Sequence, residues 1–176
     1  MKTLIVYYSF TGNNGLLAAE LKKRLNADLY EIKEVQQRTA FTILFDIVFN
    51  RTAKIQQPAI ATGQYHRVIL LAPVWNARIA TPLKSFIQSQ KDHLSEYALV
   101  TVCGGRPGQQ ELLEQQLTKF AGKPPLQVIQ LALNDLLPQE RKRVAKNGTS
   151  FKIEQPDLKY FDPALTQLVR KLAPTE

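Results

Sequence analysis

The chain has 176 residues, of which 44% are hydrophobic and 22% are charged, a composition that fits one folded domain and excludes a disordered chain. Its formal net charge of +8 favours anionic partners, but the basic residues are scattered and no aromatic residues interleave them, so we expect solvated helix faces and no nucleic-acid site. A single cysteine, Cys103, excludes an internal disulfide, and no apolar run reaches the roughly 18 residues that span a bilayer, so we expect a cytoplasmic protein without a membrane span.

The first predicted element is a strand at residues 4–7, and four more strands are predicted at residues 28–33, 68–72, 97–102 and 126–133. The first, third and fourth are nearly continuous apolar runs, as in parallel strands that are buried on both faces. The second alternates polar and apolar residues, and the fifth is interrupted by Gln127 and Gln130. We therefore place the second and fifth strands at the edges of the sheet.

Helical patterns lie between the predicted strands. A leucine recurs every four residues from Leu17 to Leu25, after the first strand. Thr81-Pro82 marks the start of a second helix, because threonine caps and proline fits the first helical position. Gly122 can end a third helix, and Asp162-Pro163 is predicted to open the last one.

Strands that alternate with helices imply crossover connections and a parallel sheet covered by helices on both faces. The sequence therefore predicts a single α/β domain over residues 1–176, a three-layer sandwich with a five-stranded parallel sheet of order 2-1-3-4-5. In that order, ligands bind at the carboxyl ends of the strands, where strands one and three are neighbours.

A polar loop follows the first predicted strand, with the sequence Ser9-Phe10-Thr11-Gly12-Asn13-Asn14-Gly15, and a helix follows at once. The unpaired amides at the start of a helix attract anions. Ser9 and Thr11 add hydroxyl donors, and Gly12 allows close backbone approach. No Gly-Lys-Ser/Thr or G-x-G-x-x-G pattern is present, which favours a monophosphate site. A plain strand-to-helix turn with a helix cap is the alternative.

Two more loops follow buried strands at the same predicted edge of the sheet. After the third strand comes Pro73-Val74-Trp75-Asn76-Ala77, with the chain's one tryptophan, whose indole can stack on a planar ring or simply cover the core. After the fourth strand comes Cys103-Gly104-Gly105, where main chain can approach a flat ligand or form a flexible turn. Three such loops at one edge point to a ligand site more strongly than any one of them.

These three motifs, in this order, resemble those of the flavodoxin family. Residues 4–13 resemble its phosphate loop, residues 73–86 its second flavin loop and following helix, and Cys103-Gly104-Gly105 its third loop. The resemblance runs from Lys2 to about Gly122 and implies a flavodoxin-like fold with bound flavin mononucleotide (FMN).

The resemblance also implies roles for individual residues. Ser9, Thr11, Gly12, Asn13 and Asn14 would hold the FMN phosphate. Trp75, within the loop from Pro73 and Val74 onward, would flank the isoalloxazine ring, Asn76 or Ala77 would offer backbone groups near its N5 edge, and Cys103, Gly104 and Gly105 would line its pyrimidine side.

Function is then expected to be electron transfer through bound FMN, either as a shuttle or as an oxidoreductase with a quinone-like or porphyrin-like acceptor. The rival hypothesis is a flavodoxin-shaped binding or scaffold protein without FMN. It is motivated by Phe10, Asn14 and Arg78, which depart from the residues common in the family. The basic charge, opposite to that of typical flavodoxins, favours an acidic redox partner protein or a small-molecule acceptor. His66 and His93 lack ligand spacing, so no metal site is expected.

The segment from Thr39 to Arg51 is apolar almost all the way round a helix, so one face of that helix needs a cover. We expect that face to be covered by the second subunit of a homodimer, by a partner protein or by an apolar acceptor. The alternative cover is the segment from Asn134 to Phe161, folded back over the helix.

Overall fold

The computed structural model describes residues 2–36, 39, 42–43, 51–104, 106–139 and 152–172. Five parallel strands form one sheet: β1 (Thr3–Tyr7), β2 (Asp28–Glu31), β3 (Arg67–Leu71), β4 (Glu96–Cys103) and β5 (Gln127–Ala132). Their spatial order is β2-β1-β3-β4-β5, so the predicted order and the two predicted edge strands are confirmed. A short antiparallel hairpin, Val74–Trp75 with Arg78–Ile79, lies outside this sheet.

The helices lie on both faces of the sheet, which makes the predicted three-layer sandwich. They are α1 (Asn13–Leu25), α2 (Thr81–Gln90), α3 (Gln109–Ala121), the short α4 (Leu133–Leu136) and α5 (Leu158–Leu172), with 3₁₀ turns at Thr62–Gln64 and Gln155–Asp157. In the described part of the chain, none of the helices has the length and apolar character needed to cross a membrane.

Two apolar cores, one on each face of the sheet, hold the layers together. Alternate residues of the central strands point to opposite faces, so Leu4 and Leu70 pack with α2 and α3, whereas Ile5 and Ile69 pack with α1 and α5. All four side chains are fully buried. This double burial explains the continuous apolar runs of β1, β3 and β4.

The start of the last helix differs from the prediction. Asp162-Pro163 does not open it, because α5 begins at Leu158 and contains Pro163. The backbone N–H of Glu154 donates to the Asp157 carboxylate (2.9 Å), in a capping box that leads into the helix. Burial of Leu158 and Phe161 on the α1 side keeps the turn before the proline helical.

The two remaining sequence segments are described in part. Of the segment from Thr39 to Arg51, only Thr39, Thr42, Ile43 and Arg51 lie within the described residues, so the contact surface proposed for it stays a prediction. In the segment from Asn134 to Phe161, Leu137 and Ile153 are buried in the core on the α1 and α5 side.

Candidate functional site

The first loop joins the end of β1 to the start of α1. Gly12 caps the helix with a φ of 94°, a left-handed conformation that favours glycine, and Asn13 is the first helical residue. Within the described part of the chain no side chain caps this end, and the first turn of α1 has no acidic residue. The amides at the start of α1 therefore have no partner within the helix and can receive an anion.

Among the residues that the structure describes, two buried polar atoms of this loop lack a hydrogen-bond partner: the Ser9 hydroxyl oxygen and the Asn14 side-chain oxygen. The Ser9 hydroxyl lies beneath the first turn of α1, since a methyl group built on Gly15 would be 3.9 Å from it. Buried polar groups are nearly always paired, and the oxygen and nitrogen of an Asn amide are interchangeable by a flip. The two atoms therefore mark a place where a polar ligand group would supply the missing hydrogen bonds.

The side chain of Asn13 has a structural role. Its oxygen accepts a buried hydrogen bond of 2.8 Å from the backbone N–H of Ile153. This bond ties the chain that leads into α5 to the start of α1. Sequence reasoning did not find Ile153, because a backbone N–H carries no sequence signal. This bond uses the side-chain oxygen of Asn13. The backbone N–H of Asn13 is a separate group, which belongs to the first turn of α1.

The second loop is the hairpin that follows β3. Its two turn residues, Asn76 and Ala77, have φ angles of 49° and 57°, which is the pattern of a type I′ turn. Trp75 and Arg78 are directly paired across the hairpin, so their side chains share one face. The backbone of Pro73 accepts a bond from Ala80 (3.2 Å), which closes the base of the loop.

A glutamine of α3 holds this hairpin in place. The Gln116 side-chain N–H donates to the Ala77 carbonyl (2.9 Å), and its oxygen accepts from the Ile79 N–H (3.1 Å). The sequence offers no signal for this role, because a glutamine on a half-buried helix face is ordinary. The paired bonds fix the turn, and with it Trp75, relative to α3.

Trp75 joins the first and second loops. Its ring contacts the rings of Tyr8 and Phe10 edge to face, each at a centroid distance of 6.2 Å. Tyr8 is buried, and its hydroxyl donates to the Glu34 carboxylate (2.8 Å). Sequence reasoning missed Tyr8 as a neighbour of Trp75, although its place directly after β1 was a usable signal. Val74, the neighbour of Trp75, packs against the core on the α2 and α3 side.

The third loop begins where β4 ends at Cys103. The Cys103 thiol is buried and donates to the Gln130 side-chain oxygen (3.6 Å), which also accepts from the Gln109 amide (2.5 Å). Gly104 follows and is exposed, whereas Gly105 lies outside the described residues. The Arg106 guanidinium then donates to the Asn76 side-chain oxygen (3.4 Å), which brings the third loop to the second.

Lys84 of α2 lies near two other cations, Arg78 of the hairpin and Lys119 of α3. Arg78 and Lys119 are exposed, and Lys84 is buried with its ammonium 5.4 Å from the centre of the Phe120 ring. Burial, and then the nearby charges of Lys119 and Arg78, lower the pKa of Lys84. In the described part of the chain, no group of three or more His, Cys, Asp or Glu side chains could hold a metal ion.

Comparison with known proteins supports the fold. No family model matches the sequence, and no curated protein is significantly similar to it. Several solved structures are similar in fold. A flavoprotein from Lactobacillus acidophilus, solved in complex with FMN, is 24% identical and has a TM-score of 0.64, with 73% of this chain and 92% of that chain covered.

Two others extend over nearly the whole chain. A flavoprotein from Bacteroides eggerthii is 16% identical, with a TM-score of 0.71 and 99% of both chains covered. Oxidised flavodoxin 1 from Bacillus cereus is 13% identical, with a TM-score of 0.52, 98% of this chain and 100% of that chain. Together with the strand order, these likenesses establish that the chain has the flavodoxin-like fold.

Proposed function

We propose that the chain is a flavoprotein that binds FMN at the carboxyl ends of β1, β3 and β4 and transfers electrons through it. The single observation that carries the proposal is the pair of buried polar atoms on Ser9 and Asn14 that lack a hydrogen-bond partner among the described residues. They lie at the start of α1, in the same loop as Phe10, whose ring contacts Trp75. A phosphate is the ligand group whose several acceptor oxygens suit hydroxyl, amide and helix-start donors together.

The residues fit the rest of FMN as well. Ser9, Thr11 and the amides of Gly12, Asn13 and Asn14 would hold the phosphate. Trp75 would flank the ring system, with the backbone of Asn76 and Ala77 and that of Cys103 and Gly104 along its edges. The flavodoxin-like fold supports this placement, since its strand order puts ligands at this edge.

The bound flavin would supply the electron transfer, and the chain's residues would bind and orient it and keep water from its buried part. The electron acceptor is either a redox partner protein or a small molecule, so the chain acts as a shuttle or as an oxidoreductase. The one cysteine fits a reducing compartment, and we infer a cytoplasmic protein.

The test is a titration of flavin-free protein with FMN and, in parallel, with riboflavin, which lacks the phosphate. Flavin fluorescence reports binding. We expect FMN to bind more tightly than riboflavin. Ser9→Ala and Thr11→Ala should weaken FMN binding by about 1–3 kcal/mol each, because a charge-assisted bond is lost, and should leave riboflavin binding unchanged.

Thr118→Ala is the matched control, since Thr118 is exposed and its hydroxyl donates within α3, to the Glu114 carbonyl (2.8 Å). It should bind FMN as the wild type does. A folded protein that binds neither flavin would refute the proposal and favour a flavodoxin-shaped binding protein. Equal affinity for FMN and riboflavin would refute the phosphate assignment.

A further inference from the structure

We propose that Gln116 is a positioning residue for the flavin ring. Together with Gln109, it lets α3 hold the second and third loops at a fixed spacing, so that the two loops assigned to the ring are in place before any flavin binds. This role rests on the proposed function and deepens it, because it concerns residues that shape the ring site without touching the flavin.

The second loop needs support from outside itself. Its hairpin has two residues in each strand, Val74–Trp75 and Arg78–Ile79, and an isolated two-stranded hairpin is at best marginally stable in water. Its turn also contains two residues other than glycine with left-handed φ angles, Asn76 at 49° and Ala77 at 57°. Such a conformation persists where surrounding contacts enforce it. Groups outside the hairpin are therefore needed to fix the turn.

The Gln116 side chain supplies this support. Its amide N–H donates to the Ala77 carbonyl at 2.9 Å, and its oxygen accepts from the Ile79 N–H at 3.1 Å. A side-chain amide that pairs with a strand edge in this way takes the place of the peptide group of a further strand. Because a carbonyl needs a donor and an N–H needs an acceptor, the two bonds also determine which way the amide is turned. Gln116 thus fixes both the position of the turn and the direction of its Ala77 carbonyl.

The third loop is held at the start of the same helix. Gln109 is the first residue of α3 and is buried. Its side-chain amide donates to the Gln130 side-chain oxygen (2.5 Å), which also accepts from the Cys103 thiol (3.6 Å). Cys103 begins the third loop and Gln109 follows it, so one oxygen of β5 holds both ends of the loop together. This pair of bonds explains why the apolar pattern of β5 is interrupted at Gln130.

Helix α3 joins the two supports. Gln109 and Gln116 are about two turns apart, so they lie on the same side of the helix and about 10 Å from each other along its axis. Leu113 and Leu117, beside them, are fully buried in the core. The helix cannot turn or slide without exposing these leucines, and close packing resists such shifts. The distance between the two supports is therefore set by the fold.

The consequence is that the surroundings of the ring would be formed in advance. Trp75, assigned to flank the ring, lies directly before the turn that Gln116 fixes. The loops are also joined directly, because Arg106 donates to the Asn76 side chain (3.4 Å). A site that already has the shape of its ligand binds more tightly, since less freedom is lost on binding. Loss of the Gln116 bonds should therefore weaken binding of the ring and leave the contribution of the phosphate unchanged.

The test compares two variants that make the same chemical change on one helix. Gln116→Met keeps the length of the side chain and removes its two bonds to the hairpin, whereas Gln115→Met changes an exposed neighbour. Trp75 is the one tryptophan, so acrylamide quenching of its emission in flavin-free protein reports how firmly the hairpin is held. Titrations with FMN and with riboflavin then separate the contributions of the ring and the phosphate.

We expect Gln116→Met to raise the acrylamide quenching constant of Trp75 by about twofold or more, because the freed hairpin opens to solvent more often. It should weaken the binding of FMN and riboflavin by the same factor, about tenfold. Gln115→Met should change neither measurement. The equal loss for both flavins distinguishes this role from that of Ser9 and Thr11, whose alanine variants should affect FMN alone.

A folded Gln116→Met protein with wild-type quenching and wild-type flavin affinities would overturn the proposal, even with a lower free energy of unfolding, because the glutamine would then act on stability alone. A loss for FMN alone, or equal effects in Gln115→Met, would also overturn it. If Gln116→Met does not fold, the comparison is made in the Ala77→Gly background, where glycine adopts the turn without strain. If the wild type binds no flavin, the proposed function fails; raised quenching in Gln116→Met would then still support its positioning role, and unchanged quenching would overturn it.

Discussion

The turn of the Trp75 hairpin contains an alanine in a conformation that suits glycine, and this gives a prediction of opposite sign to the usual one. Ala77 has a φ of 57°. An L-residue in the left-handed region costs about 1–2 kcal/mol because its Cβ crowds the following carbonyl. Glycine avoids this cost but gives up about 0.4–1 kcal/mol through the greater freedom of the unfolded chain. Ala77→Gly should therefore stabilise the protein by about 0.5–1 kcal/mol.

The assay is urea unfolding followed by circular dichroism, with Ala19→Gly as the matched control. Ala19 is an exposed residue within α1, where glycine should destabilise by about 0.5–1 kcal/mol. The same chemical change should thus have opposite effects at the two positions. If Ala77→Gly lowers the free energy of unfolding as Ala19→Gly does, the type I′ turn assigned to Asn76 and Ala77 is wrong.

Three further predictions follow from the site. Asn13→Ala should cost about 1–3 kcal/mol in urea unfolding, because the buried N–H of Ile153 loses its acceptor; Asn13→Asp should keep the stability and weaken FMN binding but not riboflavin binding, and equal effects on both flavins would contradict this. Trp75 is the one tryptophan, so its fluorescence should be strongly quenched when FMN is added to flavin-free protein; unchanged emission at saturation would remove it from the site. Lys84→Met should raise the free energy of unfolding at pH 7, because the folded protein disfavours the charged lysine. This advantage should shrink as the pH rises through the lowered folded pKa towards 10.5, where the unfolded wild type binds more protons than the folded protein. A pH-independent difference between Lys84→Met and wild type would show that packing and not charge is responsible.

The strands of the sheet were predictable because the burial of each strand determines the pattern of polar and apolar residues within it. Strand β4, predicted at residues 97–102, runs from Glu96 to Cys103, and its apolar run has one cause, burial on both faces. The edge positions of β2 and β5 followed from their polar residues in the same way. The start of α5 was not predictable from Pro163 alone, because buried Leu158 and Phe161 outweigh the preference of proline for the first turn of a helix.

The site was predictable in its loops but not in its supports. Each loop follows a buried strand, so its place at the carboxyl edge came with the strand order. Gln116, by contrast, is 39 residues from Ala77, and Ile153 is 140 residues from Asn13. Such bonds join groups that every sequence contains in many copies, and only the fold selects which of them meet.

The candidate phosphate position would hold FMN through fixed dipoles. It is lined by the Ser9 hydroxyl, an Asn14 amide and the start of α1, buried groups whose fields salt screens weakly. A flavin bound in this way would stay in place over a range of salt in which the attraction of exposed charges falls, because the Debye length is about 10 Å at 0.1 M salt and shortens as salt is added. The net charge of +8 would then play little part in holding the cofactor.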